Sequence, residues 1–249
     1  MKVVIVGATG NHGTAVLRAL HDTPEVTEIV GVARRLPEEH PPYQGVEWHS
    51  IDIAAASTED DAVASLAEVF AGADAVVHLA WMIQPNDRRD LLRRVNVEGT
   101  ERVTQAVAQA GVPHLVVASS VGAYSPDAAR SGDGEPPLRD ESWATDGIDT
   151  SHYSVDKAAQ EEVLDRFAAA HPDITLTRLR PGLTFQGDAG SEIQGYFLGD
   201  LVPVQALRTG KLPALPVPKG LRLQAVHADD LGRAYAAAIV RRVGGAFNI

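Results

Sequence analysis

Four apolar residues in succession, Val3-Val4-Ile5-Val6, stop at Gly7. An unbroken β-branched run bounded by glycine predicts a strand buried on both faces. From Asn11 the period lengthens, and Ala15, Val16, Ala19 and Leu20 recur at helical spacing. The same exchange repeats along the chain. Short apolar runs at 28–33, 46–49, 75–79, 114–118, 175–179 and 223–226 predict strands, and 246–249 predicts one more. Between them, Val63, Leu66, Ala67 and Phe70 mark a helix behind the capping hydroxyls of Ser57 and Thr58, and helical patterns cover 96–111 and 151–170. Strands alternating with helices predict an α/β fold with a doubly wound parallel sheet.

Two stretches break that rhythm. Residues 125–149 are rich in Asp, Gly, Pro and Glu and read as a long loop, a lid or pocket edge. Residues 185–221 carry several glycines and prolines and read as an insertion shaping a substrate pocket. The chain stops inside the pattern of its last strand, so further carboxy-terminal residues are expected.

Composition narrows the function. The 249 residues are 45% hydrophobic, ample for a sizeable core. Acidic residues outnumber basic ones 33 to 22, a formal charge of -11 that argues against nucleic acid as a partner. With no cysteine there is no disulfide framework, thiolate metal site or thiol nucleophile, and no metal is expected. No apolar stretch reaches the roughly 18 residues of a membrane span, and the amino terminus lacks the pattern of a secretory signal, so the expected location is the cytoplasm.

The chemistry lies in three places. Gly7-Ala8-Thr9-Gly10-Asn11-His12-Gly13 joins the first strand to a helix. Glycines there let backbone approach a pyrophosphate, and the helix start offers unpaired N–H groups and the positive dipole end. Tyr153-Ser154-Val155-Asp156-Lys157 opens a helix and sets Tyr and Lys four apart on one face. A tyrosine of pKa about 10 becomes a usable acid and base near neutrality when a cation stabilises its phenolate. Ser119-Ser120 closes the strand at 114–118, at the carboxyl end where open α/β sheets bind ligands, and its hydroxyl suits a substrate carbonyl or alcohol.

These motifs resemble those of the extended short-chain dehydrogenase/reductases, the NAD-dependent epimerase/dehydratase family. The resemblance spans nearly the whole chain. It includes Asp52-Ile53, Asp74-Ala75-Val76-Val77-His78-Leu79-Ala80, Asn96-Val97-Glu98-Gly99-Thr100, Arg180-Pro181-Gly182 and Val226-His227-Ala228-Asp229-Asp230. It implies a Rossmann-like core over 1–182, a substrate-pocket insertion over 183–222 and a return to the core over 223–249, the latter two giving a small carboxy-terminal substrate-binding part. By position it makes Ser120, Tyr153 and Lys157 catalytic, with Lys157 also holding the nicotinamide ribose. Gly7, Thr9, Gly10, Asn11, His12 and Gly13 would cradle the pyrophosphate. Asp52 and Ile53 would border adenine, Leu79, Ala80 and Trp81 would pass beside the cofactor, and Pro181, Gly182 and Leu183 would flank the nicotinamide. Asn96 joins the cofactor-lining set and positions a helix, whereas His227 is expected to be structural.

The resemblance implies an NAD(P)-dependent oxidoreductase that moves hydride between a nicotinamide and a carbonyl or alcohol carbon. A sugar or nucleotide-sugar epimerase would use the same three residues, and a non-catalytic redox sensor would need none of them. Two departures bear on substrate. Ser120 precedes Val121-Gly122 rather than the acidic pair of the 4,6-dehydratases, and Gly182-Leu183-Thr184 replaces an asparagine of many nucleotide-sugar enzymes. Ala33 stands where NAD-using relatives carry aspartate and is followed by Arg34 and Arg35, suited to a 2′-phosphate; NADP is the expected cofactor, with NAD as the alternative. The family pairs through the helices at 96–111 and 151–170, so a homodimer is expected.

Overall fold

The computed structural model describes residues 1–55, 59–83, 87–127, 138–186 and 223–249. Nine strands occur among them: β1 (Lys2–Val6), β2 (Glu28–Ala33), β3 (Glu47–Ser50), β4 (Ala75–His78), β5 (His114–Ala118), β6 (Thr175–Arg180), β7 (Leu183–Phe185), β8 (Ala225–His227) and β9 (Gly245–Asn248). Seven form one sheet in the order β3-β2-β1-β4-β5-β6-β9, and every paired neighbour is parallel. The helices are α1 (Asn11–His21), α2 (Glu59–Phe70), α3 (Arg89–Arg93), α4 (Gly99–Ala110), α5 (His152–Ala170) and α6 (Ala228–Arg241).

The apolar run of β1 hides an alternation. Val4 and Val6 point into a core with Leu66 and Phe70 of α2, Val103 and Val107 of α4, and Leu164 and Phe167 of α5. Val3 and Ile5 point the other way, to Leu17 and Leu20 of α1 and Leu231, Tyr235 and Ile239 of α6. Both faces of the central strands are thus covered, which is why these strands read as continuous hydrophobic segments. The expected doubly wound Rossmann-like sheet is the fold observed.

Two features differ from the sequence expectation. The strand expected at 223–226 forms as β8 but pairs with β7 in a separate two-stranded parallel sheet, from Leu183 opposite Ala225 to Phe185 opposite His227. Pro181, directly after β6, has no N–H to continue the main ladder, and β9 takes the place beside β6 instead. The helix expected from 96 is interrupted: a π-helical turn over Arg94–Glu98 joins α3 to α4 and carries Asn96. His227 caps α6 by accepting from the Asp229 amide, the structural role expected of it. The capping pair Ser57 and Thr58, residues 128–137 of the acidic loop and 187–222 of the expected insertion lie outside the described residues.

Candidate active site

β1, β2, β4, β5 and β6 all deliver their carboxyl ends to one edge of the sheet, and the residues singled out by sequence lie there. Beyond Val6 the chain turns at Gly7, whose φ of +91° lies in the left-handed region. A Cβ there would stand 2.6 Å from the Ala80 amide nitrogen, so only glycine lets this loop press against the exit of β4. Thr9 and Gly10 are exposed, and a Cβ at Gly10 would meet only the Gly7 oxygen at 3.5 Å. Gly10 is the N-cap of α1 with no capping side chain, and the first turn carries no acidic residue. Gly13 packs against Ala8. An open glycine cradle over uncapped helix amides fits a pyrophosphate.

Asn11 and His12 face β7. The Asn11 side-chain amide donates to the Thr184 carbonyl at 3.5 Å, and His12 Nε2 lies 3.1 Å from Thr184 Oγ1. Burial, and then the charge of Lys157, push the His12 imidazole down to about 4, so it is neutral at ordinary pH.

At the end of β2, Ala33 is buried while Arg34 and Arg35 are exposed, and the Ser50 hydroxyl donates to the Arg34 carbonyl at 3.1 Å. Neither guanidinium forms an ion pair among the described residues. Asp52 is exposed and accepts from the Ala54 amide at 2.9 Å. Ile53 is buried, its side chain against Gly99 and its carbonyl accepting from Arg102 at 2.8 Å.

The three expected catalytic residues converge. Ser120 follows β5, and its Oγ accepts from the Gly122 amide at 3.0 Å and lies 3.5 Å from the Pro181 carbonyl. Pro181 itself is buried, the Gly182 amide donates to the Ile249 carbonyl at 3.2 Å, and Leu183 begins β7. Tyr153 sits in the first turn of α5, which Ser151 caps through the Ser154 amide at 3.3 Å. The lowering of the Tyr153 phenol expected from Lys157 is not what the structure gives: burial pushes it above its ordinary value, and only the hydrogen bond with Ser120 opposes that shift. Lys157, 2% exposed, donates to the Ala118 carbonyl at 2.7 Å and to Gln160 Oε1 at 3.0 Å. Burial lowers its ammonium to about 7, with Glu161 and then Asp156 pulling it back up. The ammonium lies 3.5 Å from the centroid of the Trp81 ring and 6.0 Å from that of Tyr153. Leu79 is buried, and Ala80 is the residue that faces Gly7.

Several partners escaped the sequence reading. Asn96 is buried; its side chain accepts from the Met82 amide at 2.8 Å and donates to the Met82 carbonyl at 2.9 Å and to Asp156 at 3.2 Å. Asp156 also holds Arg89 through two hydrogen bonds of 2.7 and 3.2 Å. Asn96 therefore positions the segment after β4 and the first turns of α5. Glu161, fully buried, takes Ser119 Oγ at 2.5 Å, Arg178 at 2.7 Å and Arg180 at 2.8 and 3.1 Å. It stands one turn beyond Lys157 on the same helix face, a spacing legible in sequence.

Beside Tyr153 lies a cleft of about 270 Å³ whose walls include Met82, Arg89, Asn96, Ser151, His152 and Asp156. A wider, open groove of about 450 Å³ along β6 and β9 contains none of the predicted site residues. Among the described residues no group of acidic or histidine side chains is arranged to hold a metal, and no helix is long and apolar enough to cross a membrane.

Known proteins resemble this chain to different extents. The chain is 27% identical over 201 residues to the L-arabinose 1-dehydrogenase (NAD(P)(+)) of Haloferax volcanii, covering 75% of this chain and 68% of that protein. It is 30% identical over 189 residues to the NAD-dependent glucose-6-phosphate dehydrogenase of the same organism, covering 72% and 67%. An uncharacterized protein of Mycobacterium tuberculosis is 31% identical over 120 residues, which is 48% of this chain but 12% of that much longer protein. In three dimensions all of this chain superimposes on 75% of a dTDP-glucose 4,6-dehydratase from Streptomyces venezuelae, with a TM-score of 0.75 at 21% identity. It also superimposes on 77% of the UDP-glucose 4-epimerase of Thermus thermophilus, with a TM-score of 0.71 at 20% identity. The NAD dependent epimerase/dehydratase family matches residues 3–249, and the chain belongs to that family.

Proposed function

We propose that this chain is an NAD(P)-dependent dehydrogenase of small sugars, moving hydride between the nicotinamide and a hydroxyl-bearing carbon of its substrate. The observation that carries this reading is that Tyr153, which lines a cleft of about 270 Å³, has the Ser120 hydroxyl within hydrogen-bond reach and the Lys157 ammonium 6.0 Å from its ring centroid. Its similarity to two sugar dehydrogenases, each over more than two thirds of both chains, supports the choice of substrate class.

The glycine loop would hold the pyrophosphate, Lys157 the nicotinamide ribose, and Leu79, Pro181 and Leu183 the walls beside it. When bound, the nicotinamide supplies the hydride acceptor or donor. Ser120 Oγ orients the substrate oxygen, and Tyr153 Oη takes its proton during oxidation and returns it during reduction. The acidic pair of a 4,6-dehydratase has no counterpart beside Ser120, where Val121 and Gly122 follow. The buried carboxylates nearby are committed, Asp156 to Arg89 and Asn96, and Glu161 to Arg178 and Arg180. Arg34 and Arg35 favour NADP(H) over NAD(H), because each is exposed at the end of β2 with no acidic partner among the described residues. Residues 183–222 would complete the substrate pocket, and α4 and α5, which share one face of the sheet, would form a homodimer contact.

The test is a screen of aldoses, including L-arabinose and glucose 6-phosphate, with NADP+ and NAD+. Stoichiometric reduction of the dinucleotide is expected. Conversion of a sugar with no net change in dinucleotide would instead identify an epimerase, and saturable dinucleotide binding without turnover of any sugar or carbonyl compound would identify a sensor.

A further inference from the structure

Trp81 covers the Lys157 ammonium, the group expected to hold the nicotinamide ribose. The ammonium has three protons; two point to the Ala118 carbonyl and Gln160 Oε1, and the indole lies over the remaining face at 3.5 Å. A cation this close to an aromatic face and removed from water is attracted to it. The same indole meets the Tyr153 ring edge-on, centroids 5.9 Å apart at 75°. It therefore lies against both Lys157 and Tyr153.

No hydrogen bond anchors the indole: its ring N–H is buried with no partner among the described residues, whereas buried tryptophan N–H groups are ordinarily satisfied. The backbone on either side is held: Ala80 lies against Gly7, and Met82 is tied to Asn96 by bonds of 2.8 and 2.9 Å. A fixed backbone carrying a side chain with an unsatisfied polar group favours rotation of the side chain rather than movement of the segment.

We propose that Trp81 is a place-holder for the nicotinamide ribose, covering the Lys157 ammonium until a dinucleotide binds and displaces it. The inference rests on the reading above that the site takes a nicotinamide dinucleotide. Indole over ammonium and ribose on ammonium are alternatives, so the cation–π contact competes with the cofactor. Displacement turns Lys157 from the indole to the ribose and uncovers the flank of Tyr153. Binding and the assembly of the proton-transfer pair thereby become one event.

The experiment uses the intrinsic fluorescence of Trp81. The chain has three tryptophans, so a Trp48→Phe, Trp143→Phe variant isolates Trp81; if it folds poorly, the difference between wild type and Trp81→Phe gives the same signal. Titration with NADP+ and NAD+ is expected to change Trp81 emission saturably, at the dissociation constant found by calorimetry. Trp81→Leu is expected to bind the dinucleotide about fivefold more tightly, because the competing contact is gone. Calorimetric binding with unchanged Trp81 emission overturns the place-holder alone, as does weaker binding by Trp81→Leu, which would mean that the indole holds the cofactor. No binding of either dinucleotide to wild type overturns both this inference and the proposed function.

Discussion

Gly122 lies against the ring of Tyr153: a Cβ added to the glycine would stand 2.8 Å from Cε1 and 3.2 Å from Cδ1. That contact, together with the Ser120 Oγ accepting from the Gly122 amide, makes the short turn after β5 the seat of the phenol. Gly122→Ala is expected to push Tyr153 away from Ser120 and lower kcat by about 10- to 100-fold, the scale of an ångström-sized misplacement. Dinucleotide affinity should stay near wild type. Unchanged kcat in the folded variant would mean that the ring position is not critical.

Glu161 joins α5 to the ends of β5 and β6 through Ser119, Arg178 and Arg180, and the Glu161, Ser119 and Arg180 side chains are all buried. Removing one member of such a network leaves charge buried without its partner. Glu161→Ala is expected to lower unfolding stability by about 3–5 kcal/mol in urea titrations. A loss within the range of ordinary surface substitutions would show that the guanidinium groups find other partners.

Lys157 gives a prediction about pH. Burial lowers its ammonium from the ordinary 10.5 to about 7. Between those values the unfolded chain holds a proton that the folded chain has released, so stability rises with pH across that interval; below about 7 the cost of burying the charge is fully present. Lys157→Met has no such charge. The stability of wild type relative to Lys157→Met should therefore increase as pH is raised from 7 to 10, read from urea midpoints at each pH. Parallel curves for the two proteins would contradict the assignment.

Cofactor preference is tested at the end of β2. Arg34→Ala combined with Arg35→Ala should weaken NADPH by at least about tenfold, the scale of one charge-assisted hydrogen bond lost, while NADH binding changes little. Equal affinities for the two dinucleotides in wild type would remove the claimed preference.

The parts of this fold legible in sequence are those set by short-range periodicity. Val3 to Val6, the glycine turn and α1 follow from spacing within about twenty residues, and Tyr153 and Lys157 share a face because both stand on one helix. The pair Ser119-Ser120 was legible from its place at the carboxyl end of a strand, and the resemblance to known dehydrogenases singled out Ser120, 33 residues before Tyr153. Contacts made by chain segments far apart were not legible: Arg89 with Asp156 across 67 residues, or Trp81 beneath a lysine on another element. Asn96 illustrates the boundary between the two. Its role in positioning a helix was expected, but its bonds to Met82 and Asp156 depend on the π-turn between α3 and α4, which no periodicity announced. The pairing of β7 with β8 was missed for a related reason, since a three-residue strand carries too few positions for its period to show.

The most direct test of the account is the rate of dinucleotide reduction by the substrate sugar in Tyr153→Phe, measured beside its dinucleotide dissociation constant. Phenylalanine keeps the ring against Gly122 and removes only the oxygen that exchanges the proton. The account predicts a kcat lowered by about 100-fold or more with dinucleotide affinity within a few-fold of wild type. A folded variant that binds dinucleotide and reduces it at the wild-type rate would contradict the role assigned to Tyr153 and with it the proposed chemistry.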